Sequence, residues 1–248
     1  MNPYVKHYQK EGIGFIEFGH PAGNSLPSTL LYQISEKMRL LNTDVGVRVI
    51  VLKSHGQKAF CGGASLSELK EIKVIADAKA FFMGFASVIN TMRALDKFIV
   101  VQVQGKAVGG ATGIIAASDY AIAHNDAAIK LSELSIGIGP YVIEPALSRK
   151  MGTTAFTQLS LDSHEWKSAD WALQQGLYAK VCPTHKTLKS TVNAFASRLA
   201  SYAPEAMKEL KKLHWKNTEH WDELLPKNAE ITGKLALSSF TQNILNKL

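Results

Sequence analysis

Two stretches of this chain repeat one design, and that design restricts the fold more than any other feature. VRVIVLKS (47–54) is a continuous β-branched run followed by KAFCGGAS (58–65). IVVQVQG (99–105) is a second apolar run followed by KAVGGATGIIAAS (106–118). The first run is unbroken over 49–52 and reads as a buried strand of a parallel sheet; the second, apolar over 99–101, reads as the next buried strand. In both, adjacent glycines follow the strand and a helix begins. Strands linked in parallel through helices define an α/β class.

The rest of the chain extends this pattern. VKHYQK and FIEF flank EGIG and predict an N-terminal β-hairpin. Residues 28–42 place Leu30, Leu31, Ile34, Met38 and Leu41 on one helical stripe, with Ser28 as the expected N-cap. A helix through 77–95 carries Phe81, Phe85, Val88, Met92 and Leu95 on one face, after a shorter one over SLSELKEI. DYAIAH (119–124) and AIKL (128–131) read as further strands. Beyond SELSIGIGPY the pattern turns helical: Leu188, Val192, Phe195 and Leu199 share a face, and Pro204 suits the first position of another helix. With 248 residues, 46% hydrophobic and 20% charged, the chain can bury one large core. The expected division is an α/β core over 1–190 and a helical C-terminal region over 191–248.

Composition also excludes function classes. No apolar run approaches the ~18–20 residues of a membrane span. The polar start, MNPYVKHYQKEG, is not expected to be a secretory signal. Two cysteines, Cys61 and Cys182, make neither a disulfide framework nor a CxxC site, which fits a reducing, cytoplasmic setting. The histidines show no ligand spacing, so no metal is expected. Cys61 has no histidine near it in sequence and reads as a small buried thiol. The net charge of +7 suits an anionic partner, although many ordinary enzymes are as basic.

The glycine loops suggest chemistry. Small residues let a ligand approach the backbone closely. Two such loops from neighbouring strands can aim two N–H groups at one oxygen, forming an oxyanion hole in which each donor is worth on the order of ~3 kcal/mol. Glycine pairs after strands also occur for turn geometry alone. Neither loop has the spacing of a dinucleotide or P-loop fingerprint.

KAFCGGASLSEL resembles the first oxyanion loop of the enoyl-CoA hydratase/isomerase (crotonase) family, and VQGKAVGGATGIIAASDYAIA resembles its second. GNSLPSTLLYQI, KLSELSIGIGPY and SADWALQQGLYAKV resemble three further family segments, all in the right order. The resemblance implies a crotonase-like (ClpP/crotonase) spiral of ββα units with a helical C-terminal trimerisation region. It implies an acyl-CoA substrate whose thioester oxygen sits between the amides of Ala64 and Gly110. Coenzyme A is then part of the substrate, and no separate cofactor is implied.

By the same resemblance Ser25, Leu26, Lys58, Ala59, Gly62 and Leu66 contact the coenzyme A portion. Phe240 matches a position that reaches it across subunits of a homotrimer or a dimer of trimers. Hydratases of the family use two glutamates. The second matches Glu133, the expected acid/base; the first falls on Gly113, which cannot carry a proton. Lys208, Lys211, Lys212 and Lys216 share one side of helix 205–216, where they are expected on a solvated face and otherwise near the coenzyme A phosphates. GIGPYVIEPALSRKMG resembles the methylglutaconyl-CoA hydratase branch and contains Tyr141 and Glu144, candidate second polar groups.

The resemblance therefore implies a single-glutamate enzyme of the hydratase/isomerase type. A branched-chain enoyl-CoA hydratase of the methylglutaconyl type is the nearest alternative. An RNA-binding protein is a competing class, without an RNP-type aromatic motif or arginine-rich segment to support it. A catalytically reduced acyl-CoA-binding subunit is another, and Glu133 argues against it.

Overall fold

The structure is a computed structural model describing residues 1–247. It opens with a hairpin, β1 (Tyr4–Lys10) and β2 (Ile13–Gly19), paired antiparallel from Tyr4↔Gly19 to Lys10↔Ile13. The turn is only Glu11–Gly12, both at positive φ, the geometry that matches strand twist in a two-residue hairpin. Helix α1 (Ser28–Thr43) buries Leu30, Leu31, Ile34, Met38 and Leu41, the stripe its spacing predicts. Its cap differs from the expectation. Pro27 holds the N-cap position without a side-chain bond, and the Ser28 N–H donates to Glu68 Oε2 at 2.8 Å.

Three strand–strand–helix units follow. The first is β3 (Val49–Ser54), β4 (Ala59–Cys61), α2 (Leu66–Glu71) and α3 (Ile75–Ala94). The second is β5 (Phe98–Val103), β6 (Lys106–Val108) and α4 (Gly110–Ala116). The third is β7 (Tyr120–His124), β8 (Ile129–Lys130) and α5 (Glu144–Leu161), the last interrupted at Gly152, whose φ of 80° and ψ of 155° are not helical. Then come α6 (Ala169–Gln174), β9 (Lys180–Cys182), α7 (His185–Ala200), α8 (Pro204–His214), α9 (Trp221–Ala236) and α10 (Ser239–Leu245).

The first strand of each unit joins a six-stranded sheet ordered β1-β2-β3-β5-β7-β9, parallel after the hairpin. The second strand of each unit joins a parallel three-stranded sheet, β4-β6-β8. The repeated unit is thus a spiral: its first two turns each deliver a glycine loop to the end of the small sheet, and the third delivers the turn after β8. Strand β3 shows why its run is unbroken: Ile50 and Leu52 enter one hydrophobic core while Val49 and Val51 enter another on the opposite face.

The C-terminal helices share these cores. Leu188, Val192 and Ala196 of α7 pack on the outer face of the large sheet. Residue 190, the expected boundary, falls inside this helix. Trp221, Leu225, Ala229 and Ala236 of α9 join the main core, and α9 lies along α3 so closely that a Cβ on Gly233 would meet Lys79 N at 3.0 Å.

Helix α8 corrects the lysine reading at one position, while Lys208, Lys212 and Lys216 are exposed as expected. Lys211 is 2% exposed, and its Nζ donates to Asp119 Oδ2 at 2.9 Å and to the Lys97 carbonyl at 2.8 Å. Asp119 also accepts from Ile99 N–H at 2.7 Å and from Trp215 Nε1 at 2.8 Å. Lys211 therefore fastens α8 to the sheet and faces neither solvent nor a ligand. Lys208 pairs with Asp96, and Lys212 with Glu209.

Candidate active site

The two glycine loops meet at one cavity of about 200 Å³. From the first loop come Gly62, Gly63, Ala64 and Leu66; from the second, Val108, Gly109 and Gly110. Glu133 enters from the turn after β8. Leu69, Phe82 and Phe85 close one side, Ile138, Val142 and Ile143 another, and Thr232 of α9 completes the wall.

Backbone pairing decides where the Ala64 amide points. Leu26 and Ala64 form a parallel bridge in which Leu26 N–H donates to Gly63 O at 2.8 Å and Ser65 N–H donates to Leu26 O at 3.3 Å. The bridge uses the residues on either side of Ala64, so Ala64's own N–H faces away from Leu26. Gly63, at φ 89°, makes the sharp turn this requires, and a Cβ there would meet Val108 O at 2.8 Å.

Gly110 is the first residue of α4, and a helix's first N–H groups have no intrahelical acceptor. Among the described residues, neither the Ala64 nor the Gly110 N–H donates to another backbone group. The Phe85 ring presses on Gly110, where a Cβ would lie 2.6 Å from Cδ1.

Buried amides fix the first loop. Asn24 Nδ2 donates to the carbonyls of His55 at 2.8 Å and Ala59 at 2.9 Å. Gln104 Nε2 donates to Ser54 Oγ at 2.7 Å and also to Ala59 O at 3.0 Å. The end of β3 and the start of β4 are thus held together by two side chains that sequence reasoning passed over. Their signal was weak: one polar residue in the GNSL segment and one at the end of an apolar strand.

Glu133 caps a short 3₁₀ turn, Leu134–Ile136. Its Oε2 is buried and takes no hydrogen bond. Burial raises its pKa from the ordinary 4.5 to about 7, against the opposing pull of hydrogen bonds from the backbone at Glu133 and Ser132. A carboxyl poised there gives up or accepts a proton near neutral pH.

The other candidates are distributed unevenly. Gly62 and Leu66 line the cavity with Ala64, Gly110 and Glu133. Leu26 is fully buried behind the first loop, and Ser25 Oγ contacts His20 Nδ1 at 3.1 Å. Lys58 is exposed, and Ala59 starts β4 beside it. Phe240 on α10 is 63% exposed; its ring lies against Gly137 and takes no part in the cavity wall.

Glu144 and Tyr141 do not line the cavity either: Ser148 Oγ donates to Glu144 Oε1 at 2.6 Å, and the Tyr141 ring covers Gly139. Cys61 is buried with its thiol pushed up to about 12, so it is not a nucleophile near neutral pH. Among the described residues no cluster of three His, Cys, Asp or Glu side chains is placed to hold a metal.

The profile described as enoyl-CoA hydratase/isomerase matches residues 8–243. The chain belongs to that family. A short-chain-enoyl-CoA hydratase of Clostridium acetobutylicum is 31% identical over 207 residues, covering 82% of this chain and 78% of the relative. The enoyl-CoA hydratase structure from Bacillus halodurans has the same fold, with a TM-score of 0.91 at 21% identity over 99% of this chain and 100% of that one.

The chain is accordingly an enzyme of the enoyl-CoA hydratase/isomerase type with a crotonase fold. The mouse mitochondrial methylglutaconyl-CoA hydratase is 29% identical over 139 residues, only 55% of this chain and 44% of its own. That partial match does not single out the branch its 137–152 segment resembles.

Proposed function

We propose that this family member binds an acyl-coenzyme A with its thioester oxygen between the Ala64 and Gly110 amides, and that Glu133 moves protons on the acyl chain. The observation that carries the reading is that Glu133 is the one carboxylate lining an otherwise largely apolar cavity among the described residues. The two N–H groups favour the enolate, each by on the order of ~3 kcal/mol, because negative charge develops on the oxygen they face.

One carboxylate is enough for a double-bond shift. Glu133 takes a proton from C2 of a 3-enoyl thioester, and the electron pair moves through C3 to leave a dienolate. The same carboxyl returns a proton at C4, and the double bond ends between C2 and C3. Atoms and charge balance with no other reactant. Hydration of a 2-enoyl thioester is the second reading, favoured by the C. acetobutylicum relative being a short-chain-enoyl-CoA hydratase.

The coenzyme A portion leaves the cavity along the first loop, past Gly62 and Leu66 toward Ser25, Lys58 and Ala59, while Leu26, with no exposed surface, supports the loop from behind. The exposed Phe240 is free to reach a neighbouring subunit in a trimer or pair of trimers, with the helices of 191–248 serving that association. Two free, buried cysteines fit a reducing cytoplasmic setting. A panel of straight and branched 2-enoyl and 3-enoyl thioesters, assayed separately for hydration and isomerisation, tests the reading. Faster isomerisation than hydration is expected; hydration alone would overturn it in favour of the second reading.

A further inference from the structure

We infer that Ile143 sets the reaction type, by filling the place a second acid and its water would need. The inference rests on the reading of Glu133 as proton carrier. Gly109 and Gly113 are four residues apart, the first at the N-cap of α4 and the second within it, so they lie on one side of the helix about 6 Å apart along its axis. The Glu133 carboxyl touches the first: a Cβ on Gly109 would stand 2.7 Å from its Oε1. Ile143 touches the second: a Cβ on Gly113 would lie 2.5 Å from Ile143 Cβ and closer still to Cγ2.

These are the base and branch of a β-branched side chain, which is stiff at χ1 and cannot swing aside. Ile143 is 3% exposed and stands at the N-cap of α5, where its carbonyl accepts from Leu147 N–H at 3.1 Å. Moving it means moving the start of that helix.

Ile143 lines the cavity and Gly113 does not. The surface one turn along α4 from Glu133 is therefore hydrocarbon. An ordered water needs two to four polar partners. Beside Ile143, Val142 and Ile138 it finds none from this wall, and the neighbouring Glu144 spends its carboxylate on Ser148. A water in this cavity has Glu133 to hold it, but the wall at Ile143 supplies no second acid to aim it at C3; Ser132 and Thr232, the hydroxyl residues of the lining, are not acids. Proton transfer within the acyl chain needs neither.

The test compares hydration of a 2-enoyl thioester with isomerisation of a 3-enoyl thioester in wild type, Ile143→Thr, Ile143→Ala and the double variant Gly113→Glu/Ile143→Ala. Thr keeps the branched shape and adds one hydroxyl, so it guards against a loss of folding in the Ala variant. Hydration relative to isomerisation is expected to rise at least tenfold in Ile143→Thr and further in the double variant. Gly113→Glu alone is expected to melt below the double variant, since only the latter has room for the new side chain. A ratio within twofold of wild type in Ile143→Thr and the double variant, both folded by thermal melting, overturns the inference. The Glu133 reading is judged separately, by whether wild type shifts the double bond and Glu133→Gln does not.

Discussion

The Glu133 carboxyl lies directly against the Cα of Gly109, so closely that a Cβ there would be 2.7 Å from Oε1 and 3.2 Å from Cδ. Gly109 also holds φ 56°, ψ −125°, a conformation open only to glycine. One glycine thus shapes the loop that leads into Gly110 and leaves room for the Glu133 carboxyl beside it.

Gly109→Ala is expected to do two separable things. Backbone strain and the contact with Glu133 cost on the order of 1–3 kcal/mol of stability. Displacing the carboxyl by even ~1 Å lowers turnover by up to about 100-fold. Thermal melting and kcat on the folded variant check both; full turnover in a destabilised protein would show that Glu133 needs no exact seat.

The raised pKa of Glu133 predicts opposite pH trends for activity and stability. As a base it must be ionised, so kcat/KM for proton abstraction rises with pH up to about 7 and levels off above. For stability, the folded state holds the proton more tightly than the unfolded chain, whose pKa is near 4.5. This contribution is fully present below pH 4.5 and is lost as pH rises through about 7.

The shift corresponds to at most ~3 kcal/mol, and partial opening of the cavity to water reduces the expected effect to about 2 kcal/mol. Glu133→Gln escapes that cost. It is expected to melt a few degrees above wild type at pH 8 and by a smaller margin at pH 5. Equal margins at the two pH values would contradict a buried, destabilised carboxylate.

Much of the fold was legible because its strands are buried on both faces and its glycines sit at loop–helix junctions. The apolar runs of β3 and β5 and the helical stripe of Leu30, Ile34, Met38 and Leu41 follow from period alone. The short strands β4, β6 and β9 are not legible in the sequence, since three residues hold no period. Glu133 and the Ala64 and Gly110 amides are singled out by resemblance to the family's segments, and all three residues line one cavity. What sequence spacing could not give is contact between distant segments: Ile143 against Gly113, Phe85 against Gly110, Thr232 from α9. The solvated face expected of 205–216 holds for Lys208, Lys212 and Lys216 and fails at Lys211 for the same reason, because Lys211 finds Asp119 some ninety residues earlier in the chain.

Lys211→Met tests that buried pair. It removes the one cation bonded to the Asp119 carboxylate, leaving the neutral donors Ile99 N–H and Trp215 Nε1 and the longer-range pull of Lys150 and Arg149. Loss of about 3–5 kcal/mol is expected, with a smaller loss in Lys211→Met/Asp119→Asn, where no charge is stranded. Denaturant unfolding of wild type, the two single variants Lys211→Met and Asp119→Asn, and the double variant checks this. Additive losses would mean that the two side chains act independently.

The central claim is that one carboxyl does the proton transfer, and Glu133→Gln tests it most directly. The substitution keeps size and shape and removes the acid. Turnover of a 3-enoyl thioester is expected to fall by about 10²–10⁴-fold while the dissociation constant of a non-reactive acyl-coenzyme A stays within threefold of wild type. Turnover within tenfold of wild type in the folded variant would contradict the account.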